Sequence, residues 1–559
     1  MSLEHEQDKL SPTEEQSAPA EPAVPAEEPS AGAPDPFAAL ENPTVRSAAD
    51  LTGNRRKKKK TLIFSLIAVA AALAVVLVLL LVVFPAKEEE TPSTDTDTTV
   101  TILDKTTTTV AVAVTSATLK QKDATLEFVN KDDSLLQKGY EDLPVHSTNM
   151  KALAGSLTLY KATQDIGEKD NLSDFGFDAP SLSATVTFYD GSSYAFELGN
   201  ETPDGKSWYF REKDKNHIYI LDGDSAAALL QAPLSYVSTD VLTTPSTGSD
   251  STDTDVVMRN MSLSGSVRKD KSFSFRLVTS GDSDTFLYYD YIITSPYTKG
   301  ANSSYTSSLE NFTSLTADEV IAVRPSAAGL KTYGFDDPTT VAQFTLAART
   351  TVTGATDASG NSSSTTTYKD LEKHTMKLGK KNNNRYYVMI DDVPIVYAVT
   401  STSLPFAELQ YDDFADELLF LEDIAEMGSF KLTTETGETD FALTHHPEET
   451  DNAKNLTVTA GGKTYDTTDF RYVVRNFMEI KRYSALTKST DGQPLKLTLA
   501  ITRSGEKKPI LTIKFYEMSS NLYAAVLDNG EKYQVKASEV KNAITQYENL
   551  LNGKTVIHS

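Results

Sequence analysis

After about residue 100, apolar and polar residues alternate with a period of two along most of the chain, the pattern of half-buried strands. In 184–189 the alternation sets Ala184, Val186 and Phe188 on one face and Thr185, Thr187 and Tyr189 on the other. Tyr194, Phe196 and Leu198 continue one face of a return strand. The intervening Asp190-Gly191 predicts a two-residue hairpin, because glycine accepts the positive φ that such turns demand. A short helix holding Ala226–Leu230 closes the series, with Asp224 or Ser225 as its cap.

The same order of elements returns. "DFGFDAP" (174–180) recurs as "TYGFDDP" (332–338), 158 residues further on. "ATVTFYDGSSYAFELG", "SWYFREKDKNHIYIL" and "SAAALLQ" follow the first copy. "VAQFTLAA", "HTMKLG", "RYYVMIDDVPIVYAV" and "SLPFAEL" follow the second. The second copy carries a Ser/Thr/Gly-rich insertion at 350–367, which belongs at a hairpin tip. A third, degraded copy lacks the glycine turn but keeps a helix at 470–486 and the strands "KLTLAI", "ILTIKFYE", "LYAAVLD" and "KYQVKASEVKNAI". Each unit reads as an extended region, a helix, the turn, an antiparallel meander and a closing helix. The fold class is α+β: tandem repeats of a β-meander with short helices on one face of each sheet.

In the turns, Gly176 and Gly334 are placed to take the left-handed conformation that ends a helical turn. Phe177 and Phe335 are expected to fold back into the core. Pro180 and Pro338 bar further helix before the first meander strand. Asp178 and Asp336 are expected to bond nearby backbone N–H groups, with calcium or ligand contact as the alternative.

The aromatic-Gly-Phe-Asp-x-Pro turn, the "Leu-Gly" pair and the aromatic strands after it resemble the bacterial domain-of-unknown-function family 4340. The resemblance covers roughly residues 118–236 and 270–410, and more faintly the third unit. It implies a membrane-anchored protein associated with ABC-type export or gliding-related transport. The family has no established catalytic residues, so none is carried over.

Before the repeats, residues 61–84 form one apolar run with 23 uncharged residues after Thr61. A helix rising about 1.5 Å per residue covers the ~30 Å hydrocarbon core with such a run. The basic run Arg55, Arg56, Lys57, Lys58, Lys59 and Lys60 precedes it, and "KEEE" follows. By the positive-inside rule the N-terminus is cytoplasmic and the bulk of the chain lies outside the cell membrane, as a single-pass signal-anchor protein. The expected organisation is a disordered tail (1–54), a basic stop and transmembrane helix (55–84) and a Thr/Ser/Asp linker (85–115). Repeat one (116–240), a second linker (241–257), repeat two (258–412) and repeat three (413–559) complete it.

Charge and composition remove several classes of function. The net charge of −25 argues against nucleic-acid binding, which needs a basic footprint. With no cysteine there is no disulfide, thiolate catalysis or thiolate-bound metal. Asp174-Phe175-Gly176 matches the kinase metal triplet, but the companion His-Arg-Asp and glycine-rich loops are missing, and Thr332 replaces the acid in the second copy. "TAGGKT" (459–464) reads as a hairpin and "HHPEE" (445–449) as a loop. No catalytic, cofactor or metal residues are assigned. The expected partners are the lipid bilayer, through residues 61–84, and an envelope protein, by analogy a transporter. Two alternatives stand beside this binding or scaffold role: a carboxylate-dependent hydrolase of envelope polymers, and a transmembrane sensor.

Overall fold

A computed structural model describes residues 99–107, 113–248, 253–268, 271–356 and 362–557. The tail, the basic run and the apolar run 61–84 lie outside the described residues. Among those described, no helix is long and apolar enough to cross a membrane.

Three nine-stranded antiparallel sheets follow one another along the chain, and eight strands of each occupy the same places. In unit one these are Val114–Gln121, Thr125–Lys131, Ser134–Gln137, Leu159–Glu168, Leu182–Phe188, Ser193–Glu201, Ser207–Glu212 and His217–Asp222. In unit two they are Thr254–Ser264, Phe273–Leu277, Tyr291–Ser295, Glu319–Val323, Thr340–Thr356, Ser362–Asn382, Arg385–Ile390 and Ile395–Thr400. In unit three they are Met427–Thr434, Gly437–His445, Leu456–Ala460, Arg482–Ala485, Leu495–Arg503, Leu511–Glu517, Leu522–Leu527 and Lys532–Lys536. Counted in chain order within each unit, the spatial order is 3-2-1-5-6-7-8-4 every time. The third repeat is therefore complete in topology although its turn motif is gone.

The fourth strand was not anticipated. The 470–486 segment, read as one helix, is the helix Thr467–Met478 followed by the strand Arg482–Ala485. In every unit the helix before the fourth strand (Ser147–Thr158, Ser303–Glu310, Thr467–Met478) carries the chain from one sheet edge to the other. In units one and three it packs beside the closing helix, Gly223–Leu229 or Ala537–Leu551, on one sheet face. Leu182, Ala184, Val186 and Phe188 are buried against those helices while Ser183, Thr185 and Thr187 are not, matching the period-two pattern of the sequence.

Local details differ from expectation for identifiable reasons. The 188–192 hairpin has a three-residue loop, with Phe188 N–H donating to Ser192 O (2.9 Å) and Gly191 at φ 78°. Asp222, not Asp224 or Ser225, caps the closing helix by accepting from Ser225 N–H at 2.9 Å. Unit two closes without that helix: a short 3-10 turn, Ser401–Ser403, leads into a segment held by Arg268. The Arg268 guanidinium, 2% exposed, donates to Leu409 O, Phe406 O, Ala407 O and Thr340 Oγ1, and burial lowers its pKa to about 10. Both expected linkers contribute strands, Val100–Asp104 in the first and Asp240–Leu242 in the second. The 350–367 insertion lies at a hairpin tip, as expected, and its described residues are paired. It extends the fifth and sixth strands of unit two into a paired ribbon reaching Thr356 and Ser362.

Units one and three form the same sheet without that ribbon, so replacing 351–367 by a three-residue loop should leave the urea midpoint of the protein unchanged. A clear drop in midpoint would make the ribbon part of the fold.

Candidate functional site: the crossover turn and the inter-unit joints

The fourth strand ends at one edge of the sheet and the fifth lies near its centre, so the chain must cross three strands. The helices already cover one face, and the crossing runs over the other. In unit one it is the 3-10 turn Leu172–Phe175, ended by Gly176 at φ 84°, ψ 15°, whose N–H reaches the carbonyls of Leu172 and Ser173. In unit two the helix Ala327–Tyr333 ends at Gly334 (φ 87°, ψ 23°), with its N–H on Leu330 and Lys331. Residues with side chains pay for this left-handed conformation, so glycine is the default there.

The crossing is tight enough to dictate the residue beneath it. A Cβ on Gly199 would collide with the Phe175 carbonyl, and one on Gly379 with the Tyr333 carbonyl. The "Leu-Gly" pair of each copy is thus the floor on which the turn rests. Seen from the turn, a Cβ on Gly176 or Gly334 would strike Asn200 or Lys380, the residues just after those floor glycines. In unit three the end of the sixth strand reads Phe515-Tyr516-Glu517. Turn and floor glycine are lost together.

Phe177 and Phe335 do not enter the helix-side core. Phe177, 5% exposed, lies on the opposite face under the Arg211 guanidinium, 4.7 Å from the ring centre. Arg211 is held there by Glu197, at 2.9 and 2.6 Å. Phe335 is half-buried. Equivalent edge-to-face aromatic pairs brace the two turns: Phe175 with Tyr209 at 5.0 Å, and Tyr333 with Tyr387 at 4.9 Å. Pro180 and Pro338 are half-buried and stand two residues before the fifth strand. Asp178 and Asp336 are exposed, and among the described residues their carboxylates accept no hydrogen bond from the turn. Among the described residues no three His, Asp or Glu side chains gather as metal ligands.

Consecutive units are joined by one device used twice. At the first joint His146 N–H donates to Tyr236 O (2.9 Å) and Ser238 N–H to Pro144 O (2.8 Å). At the second, Asn302 N–H donates to Phe414 O (2.7 Å) and Asp416 N–H to Gly300 O (2.9 Å). His146 and Asn302 are also the helix N-caps of their units. The chain then pairs with the next unit: Ala317 N–H reaches Thr239 O, and Arg482 N–H reaches Glu417 O, both at 2.8 Å.

The side chains filling the two joints differ. Leu143, Val237, Val241 and Leu242 of the first joint merge into the core of unit two. The second joint buries charge. Glu531 (3% exposed) accepts from Tyr533 (2.5 Å) and Tyr411 (3.1 Å), with Lys299 (8% exposed) at 3.9 Å. Lys299 Nζ also donates to Leu419 O at 3.3 Å and lies over the Tyr533 ring. Arg482 donates to the carbonyls of Asp412, Ala415 and Asp416. Burial lowers the Lys299 pKa, partly opposed by Glu531, and burial followed by the Glu531 charge raises those of Tyr411 and Tyr533. A lysine, a carboxylate and two phenols are the raw material of acid–base catalysis, but here they are sealed between units and act as a joint. Alternation patterns carry no trace of this cluster, since its members come from three separated segments.

A family model, Domain of unknown function (DUF4340), matches residues 138–338 and again 292–498. The two matches together cover more than half of the chain. The chain belongs to the DUF4340 family. No curated protein and no solved structure matches it. The matches start 154 residues apart, close to the 158-residue spacing of the glycine turns, as tandem copies require. Each DUF4340 match begins inside one unit and ends inside the next, and so contains the backbone pairings of one joint. The first includes 144–146, 236–242 and 315–317, and the second 300–302, 411–418 and 481–482.

Gly199→Ala should lower stability by roughly 2–4 kcal/mol in urea unfolding, because backbone must move to admit the methyl group. Gly191→Ala, with open space around it, should cost only about 1–2 kcal/mol for its positive φ. Equal effects would remove the floor role from Gly199. At the second joint Lys299→Met alone should cost about 3–5 kcal/mol by leaving Glu531 buried and uncompensated. Adding Glu531→Gln should restore most of that loss, and strictly additive effects would mean that the two charges do not interact.

Proposed function

We propose that this DUF4340 protein is a single-pass, membrane-anchored extracytoplasmic scaffold whose three units act as one continuous binding array, as an accessory of an envelope ABC-type transport system. The observation that carries this reading is the repeated joint: identical backbone pairings link unit one to two and unit two to three. A relation between modules that is used twice serves spacing and multivalent contact, whereas catalysis needs only one site. The sealed ionic cluster of the second joint favours the same non-enzymatic reading, since no substrate reaches side chains that are under a tenth exposed. Anchorage rests on the apolar run 61–84 and orientation on Arg55–Lys60. The transport context rests on family resemblance.

The absence of native cysteine gives a direct test. Tyr189 is 70% exposed. Tyr189→Cys should be labelled in intact cells by a maleimide that cannot cross the cytoplasmic membrane. Labelling only after permeabilisation would reverse the orientation. Photo-crosslinking in intact membranes from exposed positions on the three units should then recover a transporter subunit, and recovery of no envelope protein would overturn the scaffold role.

A further inference from the structure

In all three units the incoming chain pairs beside or just before the fourth strand, at one sheet edge, and then crosses to the first strand at the centre. The crossing segments are 105–113, 243–253 and 419–426. Only the third, Leu-Phe-Leu-Glu-Asp-Ile-Ala-Glu, combines large apolar residues with glutamate. Leu419, Phe420 and Ile424 enter the core of unit three, and the acids between them are carried in with them. The start of the segment is fixed at the second joint: Leu419 N–H donates to Ile480 O and Leu419 O accepts from Lys299 Nζ, both at 3.3 Å.

Glu422, Asp423 and Glu426 stand within five residues. Asp423 is used locally, accepting from Ala425 N–H at 2.8 Å. Glu426 takes the Arg503 guanidinium of the fifth strand at 3.0 Å. Glu422, its side chain 22% exposed, is left 3.7 Å from the same guanidinium, and among the described residues its carboxyl accepts no hydrogen bond. The other charged or titratable neighbours are Arg471 on the crossing helix, which Asp423 faces, and His445 on the second strand, whose Nε2–H donates to Met427 O at 2.6 Å. One guanidinium does not neutralise two carboxylates, and a carboxylate buried without hydrogen bonds binds a proton instead. Burial raises the Glu422 pKa to about 7; Arg503 opposes the shift, and Glu426 and Asp423 reinforce it.

We propose that Glu422 is a proton latch of unit three: protonated, it keeps 420–426 closed over the core, and ionised, it lets the segment open. For an array outside the cell membrane, as proposed above, closure is then set by external pH. The closed segment holds the proton more tightly than an open one, in which Glu422 has an ordinary carboxyl pKa of about 4.3. Closure is therefore strongest in acid, weakens as pH rises toward 7 and is level above that.

Ile424, 2% exposed, reports the opening. The full-length chain, purified in detergent, has no native cysteine to interfere. Opening is read as the thiol-labelling rate of Ile424→Cys divided by that of Tyr189→Cys at the same pH, which cancels the reactivity of the thiol itself. That ratio should rise roughly fifty-fold from pH 5 to pH 8. Adding Glu422→Gln should hold it at its acid value throughout. The proposal is overturned if the ratio is flat with Glu422 present. It is also overturned if the ratio rises equally in the Glu422→Gln chain, which would assign the titration to His445 or the other acids. Without any introduced cysteine, the urea midpoint should fall between pH 5 and pH 8 more steeply for the native chain than for Glu422→Gln, and coincident profiles would overturn the latch as well.

Discussion

The strand order 3-2-1-5-6-7-8-4 forces each unit to carry its chain across its own sheet twice. The third strand lies toward one edge and the fourth at the other, so the first crossing spans the sheet and is made by a helix. The second returns from the edge to the centre, and with one face already covered it must use the other. A backbone crossing that closely over a strand leaves no room for a Cβ below, and a turn that stops a helix abruptly needs positive φ above. Gly199 with Gly176, and Gly379 with Gly334, are the two halves of that single requirement. Unit three, which lacks both, makes the return through the segment 486–494.

Stacking of the units follows from the same topology. The backbone entering the first crossing helix, at His146 or Asn302, is where the outgoing chain docks before joining the next sheet. Repeat arrays of this kind need terminal units that differ from internal ones. Here the strand Val100–Asp104 covers part of the outer edge of unit one, pairing with Leu159–Ala162. At the other end, the Gly461-Gly462 hairpin turns the third strand of unit three back into the short strand Lys463–Tyr465. Unit two has Lys299–Gly300 at the equivalent place, and there it receives the next unit.

Much of this was legible in the sequence because it depends on local patterns. Period-two alternation located the meanders, and the doubled Gly-Phe-Asp-x-Pro turn exposed the repeat. The two aligned "Leu-Gly" pairs held the floor glycines, although nothing in sequence says which backbone lies above them. The fourth strands were hidden because they directly follow or lie near a helix, where the periodicities blur, and in units two and three they are only five and four residues long. Phe177 is buried as expected, but its face was not legible for a related reason: without the crossing in view, nothing in the sequence places it under Arg211 on the face away from the helices. The Lys299–Glu531–Tyr411 cluster was out of reach, since its members are 112 and 120 residues apart in sequence and meet only when units two and three are joined.

The central claim is that the two joints make the three units one body. The cysteine-free chain permits pairs of spin labels at exposed acids on the units, Asp178 with Asp336 and Asp336 with Asp491. Distance distributions from pulsed electron resonance should be narrow for both pairs. A broad distribution for either pair, as from modules on a flexible tether, would contradict the account.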